Sequence, residues 1–232
     1  MKLISKTKAA GSKSFAPIPQ LEAGTYPAKV AQIVTLGSQY KRNHETLEIQ
    51  TYSDGNPMKA ETMYISFEVE DEYVDINGEQ QPRWIGKEYT ISLHEKAALI
   101  PLLKALKMDG SEPFEQALGK GVLLTVGTTK TGNAKITGVA SLMKGMTVSP
   151  VENAEKSFLF DFDEPDATKA ALVPNFLRNK MKEATNYTGS ACAKVLEALP
   201  EKPAYNKGGD KPSQTEKKTF SFDDDQDGDL PF

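Results

Sequence analysis

A single cysteine, Cys192, and two histidines, His44 and His94, are the whole stock of thiols and imidazoles in this chain. One cysteine cannot build an internal disulfide framework, and it fits a reducing compartment. The histidines stand far apart, and no Cys/His pair has zinc spacing. Glycine-rich phosphate loops are missing too: neither GxxxxGK[ST] nor GxGxxG occurs. No apolar run approaches the roughly 20 residues that cross a bilayer. The opening "MKLISKTKAAGSKSF" places lysines on both sides of Leu3 and Ile4 without an apolar core, so it does not read as a secretory leader. Together these absences give no catalytic residue, no metal ligand and no cofactor, and point away from an enzyme and from a membrane protein. A cytoplasmic location is expected.

What is present is charge, sorted along the chain. The 232 residues carry a net −4, yet residues 1–44 hold seven Lys/Arg (Lys2, Lys6, Lys8, Lys13, Lys29, Lys41 and Arg42) against Glu22 alone. The stretch from Thr219 to Phe232 holds five aspartates and no basic residue, which leaves +1 for residues 1–218. A basic arm at one end and an acidic tail at the other is the asymmetry of nucleic-acid partners and interaction tails. Hydrophobic residues make up 38% and mean hydropathy is −0.47, which suits a globular core with polar extensions.

Residues 1–20 lack periodicity and end at Pro17 and Pro19, so a flexible arm is expected. Strand patterns follow from 21 to 149. "GTYPAKVAQIVTLG" puts Tyr26, Ala28, Val30, Val34 and Leu36 on one face and Lys29 on the other; Gln32 interrupts the inward set, which predicts a mid-strand bulge. "ETMYISFEVE" turns Met63, Ile65, Phe67 and Val69 inward and Tyr64 outward. "RWIGKEYTISL" turns Ile85, Tyr89, Ile91 and Leu93 inward and Trp84 outward. Between them Asn77-Gly78 is a hairpin turn. A strict two-residue turn would set Phe67 against Glu88, whereas pairing Phe67 with Tyr89 keeps apolar residues together, so a bulge is predicted near Pro82.

A leucine stripe (Leu99, Leu102, Leu103 and Leu106) predicts a helix that Pro101 kinks or delays. Two more strands, "KGVLLTVGTT" and "AKITGVASLM", join through the turn "KTGN". Three strands, a helix, then two strands, with a bent first strand, is the arrangement of the OB-fold, a five-stranded Greek-key barrel. An unrelated β-sandwich or capsid-type domain is the competing architecture. Residues 150–199 form an acidic and aromatic segment with a helical extension broken at Pro174, packing on the barrel or on a second copy. Residues 200–218, a Lys/Gly/Pro/Ser/Thr mixture, read as a flexible linker.

Binding a single strand requires cations that track phosphates and aromatic faces on which bases stack. The segment "SQYKRNHET" lies between the first two strands, a loop that grips ligands in OB-folds, and offers Tyr40, Lys41, Arg42 and His44. Lys29, Tyr64 and Trp84 point off the barrel face by alternation, and Lys130 and Lys135 flank the last hairpin. These nine residues are the candidate nucleic-acid contacts. Trp84 sits close to the acidic hairpin end, which repels phosphate.

The last residues, "FDDDQDGDLPF", raise a separate question, because an aromatic side chain stands at the end of an aspartate string. Burying a Phe-sized group is worth roughly 1.5–3 kcal/mol, and a segment this acidic cannot bury it on itself. A divalent ion is not the answer: the string opens like an EF-hand loop, but no glutamate follows at the twelfth position. The ending "DDDQDGDLPF" resembles the C-terminal tip of bacterial single-stranded DNA-binding proteins and the acidic, Phe-terminated tails of phage-encoded ones. That resemblance implies a tip that docks into pockets on replication and repair enzymes, with Asp223, Asp224, Asp225, Asp227, Asp229, Leu230, Pro231 and Phe232 as the partner-binding residues in 219–232. It implies a protein that coats single-stranded DNA in replication, recombination or repair, as a phage-type homologue in a bacterial host; the bacterial tetramer does not carry over with it, and a homo-oligomer stays open. A strand-annealing or recombination-mediator protein, or a tailed structural protein of a phage, remains open from the residues alone.

Overall fold

The structure is a computed structural model; it describes residues 19–200 apart from residues 44, 45, 47 and 77. The expected basic arm (all but its last two residues), His44, the linker beyond 200 and the acidic tail lie outside the described residues. The element order agrees with the sequence pattern: β1 (Gly24–Tyr40), β2 (Lys59–Ile76), β3 (Glu79–Thr90), α1 (Leu99–Ala105), β4 (Gly121–Thr128) and β5 (Ala134–Ala140). A short β6 (Leu159–Phe160) and helices α2 (Ala167–Leu172), α3 (Asn175–Lys182) and α4 (Ala191–Ala198) follow. Pro101 falls in the first turn of α1, where its missing N–H has no intrahelical partner to lose, so it sets the start of the helix.

The protein is mainly β. Its strands run β3-β2-β1-β4-β5, antiparallel throughout, and β6 joins β1 in parallel. β1 holds the sheet together because it is long enough to serve two partners: residues 24–29 pair with β4, and residues 28–40 pair with β2. Among the described residues no backbone ladder joins β3 to β5. The two approach through Lys87, whose Nζ donates to the Ile136 carbonyl at 3.2 Å.

Alternation fixes one face of each strand. Met63, Ile65, Phe67 and Val69 of β2 meet Ile85 and Tyr89 of β3, the α1 leucines and Val122, Leu124 and Val126 of β4 in one core. The expected bulge is present: the β1–β2 register shifts between Val30 and Gln32, and again between Thr35 and Gly37. An extra residue reverses the side-chain parity beyond it. Ala28 and Val30 therefore enter the first core, whereas Val34 and Leu36, expected on that same face, enter a second core on the opposite side.

The β2–β3 register differs from the expected one. Beside the turn the strict pairing holds, with Ile76 opposite Glu79 and Tyr73 opposite Pro82. Residues 69–72 of β2 then bulge against Arg83 alone, with Asp71 at φ 60°, and Phe67 faces Ile85 instead of Tyr89. The bulge falls on Glu70, Asp71 and Glu72, whose charged side chains gain nothing from a regular ladder. Because the total slip is even relative to the expected pairing, the inward set of β2 is preserved. Ile91 and Leu93, expected inward, lie past the end of β3 and are exposed.

The second core explains the C-terminal extension. Phe158, Phe160 and Phe162 lie on the outer side of β1 and β2, capped by Val173, Leu177 and Met181 and by Cys192 and Leu196 of α4. Asp166 caps α2 by accepting from the Thr168 and Lys169 amides, and Ser190 caps α4 by accepting from Ala193. Pro174 separates α2 from α3, as its missing N–H requires. Both faces of β2 from Thr62 to Val69 are thereby buried.

The Tyr64 ring illustrates how tightly this layer fits. It packs edge-on against Phe176, with ring centroids 5.4 Å apart, and it lies where a Cβ on Gly86 would be. Gly86→Ala should therefore destabilise the protein by about 1–3 kcal/mol through overpacking. Urea unfolding tests this, and a variant as stable as wild type would show that the ring does not cover Gly86.

Candidate functional site

Three of the predicted contacts, Lys29, Tyr64 and Trp84, do face away from the first core, but the extension covers them. The Lys29 ammonium is buried and lies 3.0 Å from Glu68 Oε1 and 3.1 Å from Glu70 Oε2, and it donates to Ser149 Oγ. Burial pulls its pKa down, yet the hydrogen bonds and charges of Glu68 and Glu70 outweigh that and hold it above the ordinary lysine range. Trp84 donates its indole N–H to Glu68 at 2.9 Å, and Tyr64 lies in the second core. A base or phosphate reaches none of them in this arrangement, which corrects the expectation drawn from alternation. Alternation assigns a side chain to a face; whether that face meets water depends on residues far along the chain, from Ser149 onward.

A strap holds the cover in place. The amide of Ser149 donates to Glu70 at 3.0 Å, the amide of Glu152 donates to Glu68 at 3.0 Å, and the Tyr73 hydroxyl donates to the Glu152 carboxylate. That last bond pushes the Tyr73 hydroxyl up to about 12, with burial a smaller cause.

The remaining predicted contacts fall in two places. Tyr40, Lys41 and Arg42 are exposed at the far end of β1, where the chain leaves the sheet as a finger spanning residues 41–58. The finger is ordered as two short hairpins rather than an irregular loop: Arg42 bridges Ile49 in one, Thr51 bridges Pro57 in the other, and Lys41, Gln50 and Met58 join at their common base. Lys41 N–H donates to the Met58 carbonyl, Gln50 N–H to Lys41 and Met58 N–H to Gln50, all at 2.8–2.9 Å. Asn43 N–H donates to Glu48, and Tyr52 N–H donates to Asn56 across a turn in which Gly55 takes φ 82°. Asp54 organises that turn: hydrogen bonds from the Asn56 amide and then its side chain hold the carboxyl below the usual range.

Lys130 and Lys135 belong to the β4–β5 hairpin, at the end of β1 where Gly24 pairs with Val126. The structure thus places them at the opposite end of β1 from the finger. Lys130 is exposed and Lys135 half-buried.

No family model matches this chain, and no curated protein matches it. The site therefore rests on its own geometry.

Two finger residues were not picked out by the sequence reading. Tyr52 is 53% exposed at the base of the terminal turn, and "SDGNP" was the signal that a tight turn would display it. Lys59 was overlooked because β2 begins two residues earlier than its clean alternation, and its Nζ lies 5.5 Å from the Tyr40 ring centroid. Cys192 is unsuited to nucleophilic chemistry, because burial pushes its thiol up to about 12. Among the described residues no group of three His, Cys, Asp or Glu is placed to hold a metal ion. Among them, too, no helix is long and apolar enough to cross a membrane.

Proposed function

We propose that this chain is a non-catalytic single-stranded DNA-binding protein built on an OB-type barrel, acting in the cytoplasm during replication or recombination. The strand order β3-β2-β1-β4-β5, with α1 between β3 and β4, is the order such a barrel has, and the β3–β5 approach at Lys87 is where it would close. The observation that carries the reading is the finger between β1 and β2. It presents an exposed aromatic beside a cation, Tyr40 under Lys59, with the exposed Arg42 two residues along the strand from Tyr40.

Aromatic faces take bases of any sequence, and cations beside them follow the phosphates. A duplex hides its base faces, so the finger discriminates in favour of unpaired strands. The basic N-terminal arm adds sequence-independent attraction, and the acidic tip supplies the attachment for partner enzymes.

Titrating labelled oligo-dT, against a duplex of equal length, from about 50 to 200 mM salt tests this. Tight binding to the single strand is expected, with log K falling by about 0.7 per phosphate neutralised for each unit of log salt. Equal affinity for the duplex, or no salt dependence, would refute the proposal and favour a structural role. A wild-type protein that speeds pairing of complementary strands would move the reading to strand annealing.

A further inference from the structure

The finger has two faces, and the structure gives them different surroundings. Neighbouring residues of an extended strand point to opposite sides, and residues paired across a ladder share a side. Tyr40 pairs with Lys59, and the ammonium over the Tyr40 ring shows that the two do share a side. Arg42 pairs with Ile49, and Thr51 with Pro57. Counting by twos from Tyr40 and Lys59 places all six residues on one face. Lys41, Gln50, Tyr52 and Met58 fall on the other.

The two faces continue different sides of the sheet. The Tyr40 face follows the side of β2 that carries Met63, away from the C-terminal helices. The Lys41 face follows the side that carries Gln39, whose amide donates to the Lys180 carbonyl of α3 at 3.0 Å. The extension therefore crowds the Lys41 face at its base, at Gln39, although Lys41 and Tyr52 further out are exposed, and it lies on the opposite side of the sheet from Tyr40. Tyr40 keeps 37% of its surface accessible with a cation on one side of its ring, and Ile49 keeps 40%.

Resting on the single-strand reading, we infer that one face of the finger, formed by Tyr40, Arg42, Ile49 and Lys59, is the nucleotide-contacting surface. Tyr40 stacks on a base, and the Lys59 ammonium beside it neutralises the adjoining phosphate. Ile49 adds apolar contact further out. Glu61 sets the limit of this surface. It lies two residues beyond Lys59 on the same side of β2, where its carboxylate repels phosphate. The strand accordingly runs from Lys59 toward Arg42 and the finger tip. Lys41 and Tyr52 take no direct part.

Single substitutions in the full-length protein decide this, with oligo-dT affinity read by fluorescence anisotropy at several salt concentrations. Tyr40→Ala should weaken binding about 5- to 150-fold, and Tyr40→Phe should retain it, because stacking needs the ring and not the hydroxyl. Lys59→Ala should flatten the salt slope by about 0.7. Lys41→Ala and Tyr52→Ala should change affinity by less than about twofold, against the factor of ten that 1.4 kcal/mol represents. Equal losses on both faces, or losses confined to Lys41 and Tyr52, would overturn the assignment while leaving single-strand binding intact. A wild-type protein without affinity for oligo-dT overturns the functional reading itself, and the face assignment with it.

Discussion

Lys29→Met is expected to lower the unfolding free energy by about 3–5 kcal/mol, the range for breaking a buried ion pair from one side. The Lys29 and Glu68 side chains are 2% and 1% exposed. Removing the ammonium leaves Glu68 buried with the Trp84 indole and the Glu152 amide as donors among the described residues, and neutral donors do not replace a full charge. The double variant Lys29→Met with Glu68→Gln should recover part of the loss, because the fully buried carboxylate is neutralised while Glu70, 18% exposed, keeps its charge and the Ser149 amide as a donor. Urea unfolding of the two proteins measures both effects. A loss below about 1 kcal/mol in the single variant would mean that the pair behaves like a hydrated surface pair.

The same pair predicts a pH response. The Lys29 pKa is raised by folding, so its contribution is complete below the ordinary lysine value and is lost as pH climbs through the folded one. Burial raises the Glu70 pKa, but hydrogen bonds from Ser149 and Lys29 outweigh it and lower the value overall. Its contribution is present above the ordinary glutamate value and disappears as pH falls through the folded one. The strap should therefore loosen at both extremes of pH. Lys29→Met also separates structure from binding. Where the variant remains folded, its salt slope for oligo-dT should match wild type, because Lys29 is not offered to phosphate.

Deleting residues 223–232 should abolish binding of partner enzymes and tighten binding to single strands. The deletion removes five aspartates together with Leu230, Pro231 and Phe232. The Lys/Gly/Pro-rich composition of the segment before them predicts, for about 18 residues of random coil, a reach on the order of 25 Å over which the aspartates meet the rest of the protein. There they compete with phosphate as a local anion. The gain in DNA affinity should be largest at low salt, where screening is weakest.

Phe232→Ala separates the two effects. Partner binding falls because the apolar anchor is gone, while DNA affinity stays near wild type because the aspartates remain. Pull-down with a replication or repair enzyme and an oligo-dT titration, run on wild type and both variants, give the answer. Normal partner binding by Phe232→Ala would leave the aromatic tip without this role.

Where the strands lie, their order around α1, the bulge beside Gln32 and the inward set of β2 can all be read from the residues alone. These follow from local rules: side-chain period, turn chemistry at Asn77-Gly78 and "KTGN", and the geometry of Pro101 and Pro174. Which faces are covered depends instead on packing between distant parts of the chain. Lys29, Tyr64 and Trp84 carry the residue types of a binding surface and point outward as alternation requires, yet all three are buried: Tyr64 by the apolar layer from Phe158 to Leu196, Lys29 against Glu68, Glu70 and Ser149, and Trp84 against Glu68. Register likewise escaped the pattern, because parity fixes it only to within an even slip. Residues 69–72 bulge to bring Glu68 and Glu70 onto Lys29, a pairing between strands about 40 residues apart. The finger became legible only in three dimensions. Its order comes from backbone hydrogen bonds among Lys41, Gln50 and Met58, and such long-range pairing leaves no periodic trace in a polar stretch.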